Sequence, residues 1–408
     1  MKNFSRCILL LMLLSCVPSN KNDTAIPTID IENELKNFQI SKLSTYASSI
    51  HYVRLETNEN CLITEGIENI YLEDNKIFVH DGDPYLKVFS AKNGKFLYNI
   101  GARGQGPGEL PHLAHVDINP FTKKILLSWG GIKNQFDFEG TFIRNIETPY
   151  VDSLEKISNS VISLDENLYA GAIRTYGESQ KNLIIIFNDN KEIISNLECH
   201  EHVIQPSNKS LVVWSPFDQG GSFYRANREV RYFRGFTDTI YSYRKEVQNF
   251  VPFFIINYGK YKSNLNFNKD AENKNLIRVR SIHENNRYVF LDFETVNASP
   301  EPFNDEVYIN GRYYKFINHW ILGIFDKKNK SFHFLKQPIP HIRGLENDID
   351  NGIPFFVRNS STENQLIDYY QAYKFLEYAA KLPNPNASFA KIASEISEED
   401  NPIVIIAE

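Results

Sequence analysis

A glycine-rich stretch, GARGQGPGEL at residues 101–110, is the first candidate for ligand chemistry in this chain. A phosphate-binding loop needs its glycines to lead directly into a helix, and the Walker type also ends in Gly-Lys-Ser/Thr. The stretch has neither feature, and Pro107 interrupts it. We therefore predict a rigid loop between strands, whose glycines permit positive φ. Its polar side chains Arg103, Gln105 and Glu109 are candidate ligand contacts on one rim of the fold.

Arginine recurs every third residue in FYRANREVRYFRGF, at positions 225, 228, 231 and 234. The two-residue period of a β-strand cannot place all four on one face, so they do not form one basic stripe. Arg228 and Arg234 could share a strand face and bind a carboxylate or sulfate, while surface ion pairs are the alternative. Trp129 is a candidate aromatic contact on the same rim as residues 103–109.

The histidines give only weak metal patterns. The close pairs are His112 with His115 and His200 with His202, and the sequence places no third ligand beside either pair. Serine-hydrolase elbows, zinc-protease helices and dinucleotide fingerprints are absent. This excludes little, since a catalytic site can also be assembled from loops that are distant in sequence.

One acidic stretch, NDIDNG at 347–352, is reminiscent of a calcium loop. It lacks the third carboxylate position and the terminal glutamate of such loops, so a simple turn is the preferred interpretation. Asn347, Asp348 and Asp350 are the candidate ligands if calcium binds. We expect no other cofactor.

Short β-strands must carry these loops. IYLEDNKIFVHD (70–81) and YLKVFSAKNGKFLYNIG (85–101) are two strand pairs with turns at Asp-Asn and Asn-Gly, and the unit recurs at 116–147 and 161–197. The 13% aromatic content suits pleated, half-buried surfaces. Four-stranded units of about 45–50 residues predict an all-β, six-bladed β-propeller. A β-sandwich or two stacked β-domains is the alternative.

The C-terminal part departs from the repeat. Apolar residues in 361–382 fall on one helical stripe, which predicts an amphipathic helix, and a second short helix is expected within a helical segment 361–397. The chain ends in an apolar β run at 401–408. A ring of blades has to be closed by strands from both chain ends, so we expect this run to pair in the last blade near HYVRLE at 51–56.

The N-terminus predicts export. Lys2 and Arg6 precede a short apolar run, which ends in Leu-Leu-Ser-Cys at Cys16. This run is too short to span a membrane and resembles a lipoprotein signal with its lipobox, although an ordinary signal peptide is the alternative. We expect a signal at 1–16, lipid on Cys16, a polar tether at 17–40 and the propeller at 41–408.

The charge of the chain narrows the classes of partner that it can bind. The net charge of −6 is spread without long blocks, which favours neither a nucleic-acid face nor a polybasic membrane patch.

Of the four cysteines, Cys7 leaves with the signal and Cys16 takes the lipid. Cys61 and Cys199 form either one disulfide or two small buried thiols.

Several of these stretches together resemble the six-bladed β-propeller lipoproteins of Bacteroidota, a family related to NHL and TolB-like propellers. They are the lipobox, HYVRLET, the run that ends in GARGQGPGEL, FTDTIY, NDIDNG and DNPIVII. The family commonly carries Ile-Gly-x-x-Gly-Gln-Gly-Pro-Gly-Glu after its first blade. Thr237 and Asn351 depart from the family pattern, where Asn and Gly are common. The resemblance implies the fold and an outer-membrane lipoprotein of the cell envelope, but little chemistry, because the family's function is largely unknown.

The resemblance also bears on modification and function. Asp23-Thr24-Ala25 matches the Asp-Ser/Thr-apolar pattern that bacteria of this group O-glycosylate, which makes Thr24 a candidate site. We expect a monomeric, lipid-anchored binding module for a glycan or a protein, with its contacts on one rim. A metal-assisted lyase or hydrolase with its site in the channel, and a structural scaffold in an envelope complex, are the alternatives.

Overall fold

A computed structural model describes residues 26–63, 66–175, 180–200, 221–235, 237–262, 276–295, 299–309 and 312–408. Cys16, Thr24 and His202 lie outside the described residues. The strands of this part are, in chain order, β1 (Thr28–Asp30), β2 (Phe38–Gln39), β3 (Ile50–Arg54), β4 (Asn69–Glu73), β5 (Lys76–His80), β6 (Leu86–Ser90), β7 (Phe96–Ile100), β8 (Ala102–Arg103), β9 (Glu109–Leu110), β10 (His115–Asn119), β11 (Lys124–Trp129), β12 (Ile132–Asp137), β13 (Phe142–Asn145), β14 (Glu155–Asp165), β15 (Leu168–Thr175), β16 (Asn182–Asn188), β17 (Ile193–Glu198), β18 (Ser222–Ala226), β19 (Glu229–Phe233), β20 (Thr239–Arg244), β21 (Asn249–Asn257), β22 (Ile277–Glu284), β23 (Tyr288–Thr295), β24 (Phe303–Ile309), β25 (Arg312–Asn318), β26 (Ile321–Asp326), β27 (Ser331–Leu335), β28 (Asn359–Ser360), β29 (Leu366–Tyr370) and β30 (Ile403–Ala407). The helices are α1 (Ile31–Glu34), α2 (Ala372–Ala379) and α3 (Ala387–Ser394).

Six antiparallel sheets form the blades of a β-propeller, which confirms the predicted fold class and makes the sandwich alternative wrong. From the inner to the outer strand, blades 1 to 3 are β4-β5-β6-β7, β10-β11-β12-β13 and β14-β15-β16-β17. Blades 4 to 6 are β18-β19-β20-β21, β22-β23-β26-β27 and β28-β29-β30-β3. A separate hairpin, β24-β25, is inserted between the second and third strands of blade 5.

Left-handed turn residues join the strands where the sequence predicted hairpins. Asp74 and Asn75, between β4 and β5, have φ values of 53° and 62°. Gly94 (φ 70°) and Gly140 (φ 87°) turn the outer hairpins of blades 1 and 2. Asn, Asp and Gly are the residues that adopt this conformation at the lowest cost, so these turns follow from local sequence.

The ring is closed in blade 6, as predicted, by strands from both ends of the chain. β30 pairs with β29 on one side and with β3 on the other, so that Ile406 faces Ile367 and His51. All five residues of β30 are buried. Because both edges of β30 are paired, its backbone groups and its apolar side chains leave solvent together.

The helix predicted over 361–382 is wrong in its first half. Leu366–Tyr370 forms β29, and helical structure begins only at Ala372. Both faces of β29 are largely buried, so its apolar residues do not alternate, and their spacing fits a helical stripe equally well. The second predicted helix is present as α3, which Asn386 caps by accepting a hydrogen bond from the Phe389 amide.

The predicted tether at 17–40 is too long at its C-terminal end. β1 pairs in parallel with the outer strand of blade 4, where Thr28 faces Ile255, and β2 pairs with the outer strand of blade 5, where Phe38 faces Phe334. Ile29 and Ile31 are buried between them. The two short strands cover exposed sheet edges. The backbone hydrogen bonds and apolar burial that result order the segment despite its polar composition.

Two further features bear on the predictions. No disulfide joins Cys61 and Cys199, so the disulfide alternative is wrong. Cys61 is fully buried, whereas Cys199 is partly exposed. In the part of the chain that the structure describes, none of the helices has the length and apolar character of a membrane span.

Gly94→Ala should strongly destabilise the junction of blades 6 and 1. A Cβ atom there would lie 1.7 Å from the Arg54 carbonyl oxygen of β3. We expect a loss of about 2–5 kcal/mol in the free energy of unfolding, from left-handed backbone and overpacking together. Gly130→Ala is the matched control, because Gly130 also has positive φ but nothing within 4 Å of the added atom. Urea unfolding should show the smaller loss for the control, and equal losses would contradict the prediction.

Candidate functional site

The six inner strands define two rims around the channel. We call the end at which these strands begin the upper rim, and the end at which they turn back into the second strands the lower rim. The loop 101–114 between blades 1 and 2 and the β11–β12 turn of blade 2 therefore lie on the upper rim, and the Asp74–Asn75 turn lies on the lower rim.

A buried ion pair crosses the channel. Arg225 on the inner strand of blade 4 places Nη2 2.8 Å from Asp117 Oδ1 on the inner strand of blade 2. The same guanidinium donates to the Ser163 carbonyl of blade 3 at 2.6 Å, and Asp117 accepts from Ser163 Oγ at 2.6 Å. Three blades are thus joined through side chains that are almost fully buried, and their charged groups are paired with one another.

Further contacts join blades at the lower rim. Arg228 lies over the ring of Phe121 at 5.2 Å, which connects the turns of blades 4 and 2. Glu73 accepts hydrogen bonds from the amide (2.8 Å) and the hydroxyl (2.6 Å) of Thr362, which connects blades 1 and 6. The polar groups described here serve to hold the ring together.

These contacts correct the prediction for the arginine series. Arg228 lies in a turn at the lower rim, whereas Arg234 is buried beyond the end of β19, where it donates to Gln180 at 2.8 Å. They share no strand face. The alternative of surface ion pairs is also wrong for Arg225 and Arg231, which are paired inside the fold. The regular spacing of the arginines does not predict their burial, because the buried carboxylates that pair with Arg225 and Arg231 come from other blades.

The glycine-rich loop joins blades 1 and 2 on the upper rim, as predicted. Its ends form the parallel pair β8-β9, and Gly101 and Gly108 have φ values of 86° and 77°. The Glu109 carboxylate accepts from the Gly106 amide at 2.8 Å, so it stabilises its own loop. Arg103 and Gln105 are exposed, and a ligand contact through them stays a prediction.

Trp129 ends β11 at the upper rim, beside the same loop. Its ring packs on His112 with 4.9 Å between centroids, and 37% of the residue is exposed. The contact fixes the ring orientation and leaves an aromatic surface in solvent. His112 therefore supports an aromatic contact surface, and the structure does not bring it together with a set of metal ligands among the described residues.

A cleft of about 480 Å³ opens between blades 2 and 3, at the glycine turn that follows Trp129. Its walls are the Gly130–Gly131 turn, residues 148–152, residues 155–159 and Arg174. Tyr150 stands at the cleft with 78% of its surface exposed. The upper rim of blades 2 and 3 thus offers aromatic surface beside charged, amide and hydroxyl groups, which is the composition of a ligand site.

A larger groove of about 1010 Å³ lies at the lower rim between blades 6 and 1. Its lining is mainly polar, and includes the acidic residues Glu73, Asp350, Glu363 and Glu408. Exposed aromatic side chains are absent from the lining residues that the structure describes. Of the acidic groups, Glu73 already binds Thr362, so the cleft at the upper rim is the better candidate.

The predicted calcium residues lie in a tight turn and bind their own surroundings. Asp348 accepts from the amide and hydroxyl of Ser44, at 3.0 and 2.7 Å. Asp350 accepts from the Gly352 amide at 2.9 Å, and Asn347 donates to the Ile353 carbonyl at 3.3 Å. Among the described residues, no three His, Cys, Asp or Glu side chains are grouped as metal ligands. Calcium binding by this turn stays a prediction.

Sequence reasoning missed a buried lysine in blade 2. Lys133 is 1% exposed, and its ammonium donates to the Gly130 carbonyl at 2.5 Å. Burial lowers the pKa of Lys133 to about 8. Burial also lowers the pKa of the neighbouring His115, whose Nδ1 atom is out of contact with solvent. No signal in the sequence indicates this burial, because Lys133 shares its strand face with Gln135 and Asp137.

Comparison with known families now places the chain. Residues 26–408 match the model of DUF4934, described as a domain of unknown function. The chain belongs to the DUF4934 family. The match spans all six blades together with the N-terminal strands β1 and β2, so the family unit is the closed propeller with its edge strands. No curated protein matches the sequence of this DUF4934 protein.

Solved structures share the fold at low sequence identity. A Bacteroides fragilis protein described as exported is 15% identical with a TM-score of 0.65, and the alignment covers 94% of this chain and 99% of that one. A DUF4221 family member from Bacteroides vulgatus is 10% identical with a TM-score of 0.47, covering 88% and 96%. The first likeness supports the propeller fold of the DUF4934 protein.

Lys133 should make stability rise with pH. Its pKa is lowered to about 8 in the folded state, so the folding penalty is fully present below pH 8 and disappears as the pH rises towards the unfolded value. Relative to Lys133→Met, the wild type should gain about 3 kcal/mol in the free energy of unfolding between pH 7 and 10.5. Urea titrations at several pH values in low-salt buffer measure this difference. Lys123→Met, at an exposed position, should show no such trend, and parallel curves for wild type and Lys133→Met would refute the prediction.

Proposed function

We propose that this DUF4934 protein is a lipid-anchored binding module of the cell envelope that holds its ligand in the upper-rim cleft between blades 2 and 3. The observation that carries the proposal is a cleft lined by the exposed side chain of Tyr150 and by the Gly130–Gly131 turn, which directly follows the exposed Trp129. Aromatic rings beside a few polar groups at one cleft are the composition that small-molecule sites share. The propeller fold and the exported neighbour support a binding role in general terms.

A saccharide is the ligand class that best suits this composition. A sugar ring has one face of C–H groups, which packs on aromatic rings, and a rim of hydroxyls that need hydrogen-bond partners. Tyr150 in the cleft and Trp129 next to its glycine turn supply the rings, and Lys156 and Asn159 in the cleft walls supply a charged and an amide group. The cleft volume of about 480 Å³ falls within the range of small-molecule sites, roughly 300–1,000 Å³.

The channel supports catalysis less well. A metal-assisted lyase or hydrolase would need ligating and acid–base groups that converge on free space. The described polar groups that cross the channel, Arg225, Asp117 and Ser163, are bonded to one another. For this reason we favour binding on the rim over chemistry in the channel.

Replacement of the aromatic rings tests the proposed site. The chain from residue 17 onward would be screened against a glycan array, and a glycan that binds would be titrated by calorimetry. Trp129→Ala and Tyr150→Ala should each raise the dissociation constant at least about tenfold, or ~1.4 kcal/mol, because each removes one stacking surface. Tyr314→Ala is the matched control, since Tyr314 is half exposed on the β24-β25 hairpin and away from the cleft. Equal affinity for all variants, or no glycan bound, would refute the saccharide site.

The lipid anchor is tested separately in cells. Cys16→Ser should abolish labelling by a radioactive fatty acid and move the protein from the membrane fraction to the soluble fraction. Cys7→Ser, within the predicted signal, should leave both unchanged. If Cys16→Ser stays labelled and membrane-bound, the anchor is not at Cys16, whatever the outcome at the cleft.

A further inference from the structure

Three polar side chains form a row across blade 2. His115 on β10 lies opposite Ser128 on β11, and Ser128 lies opposite Lys133 on β12. Directly opposed residues in an antiparallel sheet have Cβ atoms about 4.5–5.5 Å apart, so the three side chains are neighbours on one face. That face points to blade 3, because Asp117, two residues beyond His115, binds Ser163 of blade 3.

The row has more polar groups than partners. Ser128 is 0% exposed, and its hydroxyl has no hydrogen-bond partner among the described residues. Within the same part of the chain, His115 Nδ1 is buried and also lacks a partner. The Lys133 ammonium makes one hydrogen bond to the described residues, to the Gly130 carbonyl, and no carboxylate of these residues lies within ion-pair distance. Polar atoms buried in this way are costly unless something binds them.

The second deeply buried lysine shows how the chain normally treats such a charge. Lys87 in blade 1 is 2% exposed, and its ammonium lies 2.6 Å from Asp81 and 2.7 Å from Asp83. The carboxylate closest in sequence to the blade 2 row, Asp117, is bound by Arg225 and Ser163. Described protein groups therefore supply a counter-charge to Lys87 and none to Lys133.

The row lies directly behind the wall of the upper-rim cleft. Gly130, whose carbonyl accepts the Lys133 hydrogen bond, is one of the residues that line the cleft. A Cβ atom added at Gly130 or Gly131 would meet nothing within 4 Å, so the turn between cleft and row is not packed against other groups. One open glycine turn separates the buried ammonium from solvent.

We propose that His115, Ser128 and Lys133 form a binding site for a monovalent anion, either a carboxylate or a halide. One ammonium, with a hydroxyl and an imidazole beside it, balances one negative charge. A phosphate or sulfate dianion would leave a charge uncompensated in a buried place. The site is independent of the saccharide proposal: it stands on the unpaired groups of blade 2 alone.

Anion titrations of the chain from residue 17 onward test the site. Sodium acetate and sodium chloride would each be added in a zwitterionic buffer near pH 7, with sodium sulfate at matched ionic strength as the control anion. Binding would be followed by the thermal unfolding midpoint and, directly, by acetate proton and chloride NMR line widths. We expect a saturable response to acetate, chloride or both, and only the ionic-strength effect with sulfate. A response to acetate alone identifies a carboxylate site, and a response to chloride identifies a halide site.

Two variants separate binding from folding. Lys133→Met keeps the side-chain length, so it should fold with an unchanged or higher unfolding midpoint and lose the saturable response. Ser128→Ala should weaken anion binding about tenfold, and it keeps the test decisive if Lys133→Met does not fold. Lys124→Met on the same blade, where Lys124 pairs with Glu166, is the matched control and should bind as the wild type does. No saturable response in the wild type, an equal response in Lys133→Met, or tighter binding of sulfate than of acetate would overturn the proposal.

Discussion

The pairing of β30 between β29 and β3 is the constraint on which the rest of the structure depends. Six twisted sheets form a ring only if the last blade is joined to the first, and here one five-residue strand makes that joint. Asn401 reinforces it, because its side chain accepts from the Ile63 amide and donates to the Glu56 and Cys61 carbonyls. Without this joint, β3 and β29 would both be open edges and the blade interfaces would lose their fixed geometry.

Closure of the ring brings distant charges together in a dry interior, where they must be paired. Arg225 and Asp117 are 108 residues apart in sequence, and the hydrogen bonds to Ser163 complete their coordination. Such a pair gains little over apolar packing, but it is costly to break and fixes the relative position of three blades. These three side chains are therefore committed to structure, which leaves the solvent-facing rim loops as the part on which ligand recognition can depend.

Much of this fold could be predicted from the sequence, because the information is local. Hairpins such as the one at Asn93–Gly94 are determined by turn residues and alternating strands, and their repetition identifies the propeller. The closing strand followed from the same logic. The predictions were wrong where pairing with distant strands determines the secondary structure. Leu366–Tyr370 is a strand because β30 pairs with it, and residues 28–39 are ordered because they pair with the outer strands of blades 4 and 5. The candidate site was harder, since burial of Arg234 or Lys133 is set by neighbours far away in sequence.

The two buried lysines, Lys87 and Lys133, show that the local sequence does not predict the free-energy cost of burying a charge. Lys87 and Lys133 lie on the third strands of their blades, β6 and β12, and the alternation of residue types along these strands does not rank one lysine as more costly to bury than the other. Only the folded arrangement shows that Lys87 faces two carboxylates, whereas Lys133 faces a carbonyl, a hydroxyl and an imidazole. Stability alone would favour an apolar side chain of similar length at residue 133, since a buried charge without a partner weakens the fold. A charge placed there at a cost to stability is best explained by a bound anion. The Gly130–Gly131 turn alone would then separate that anion from the upper-rim cleft.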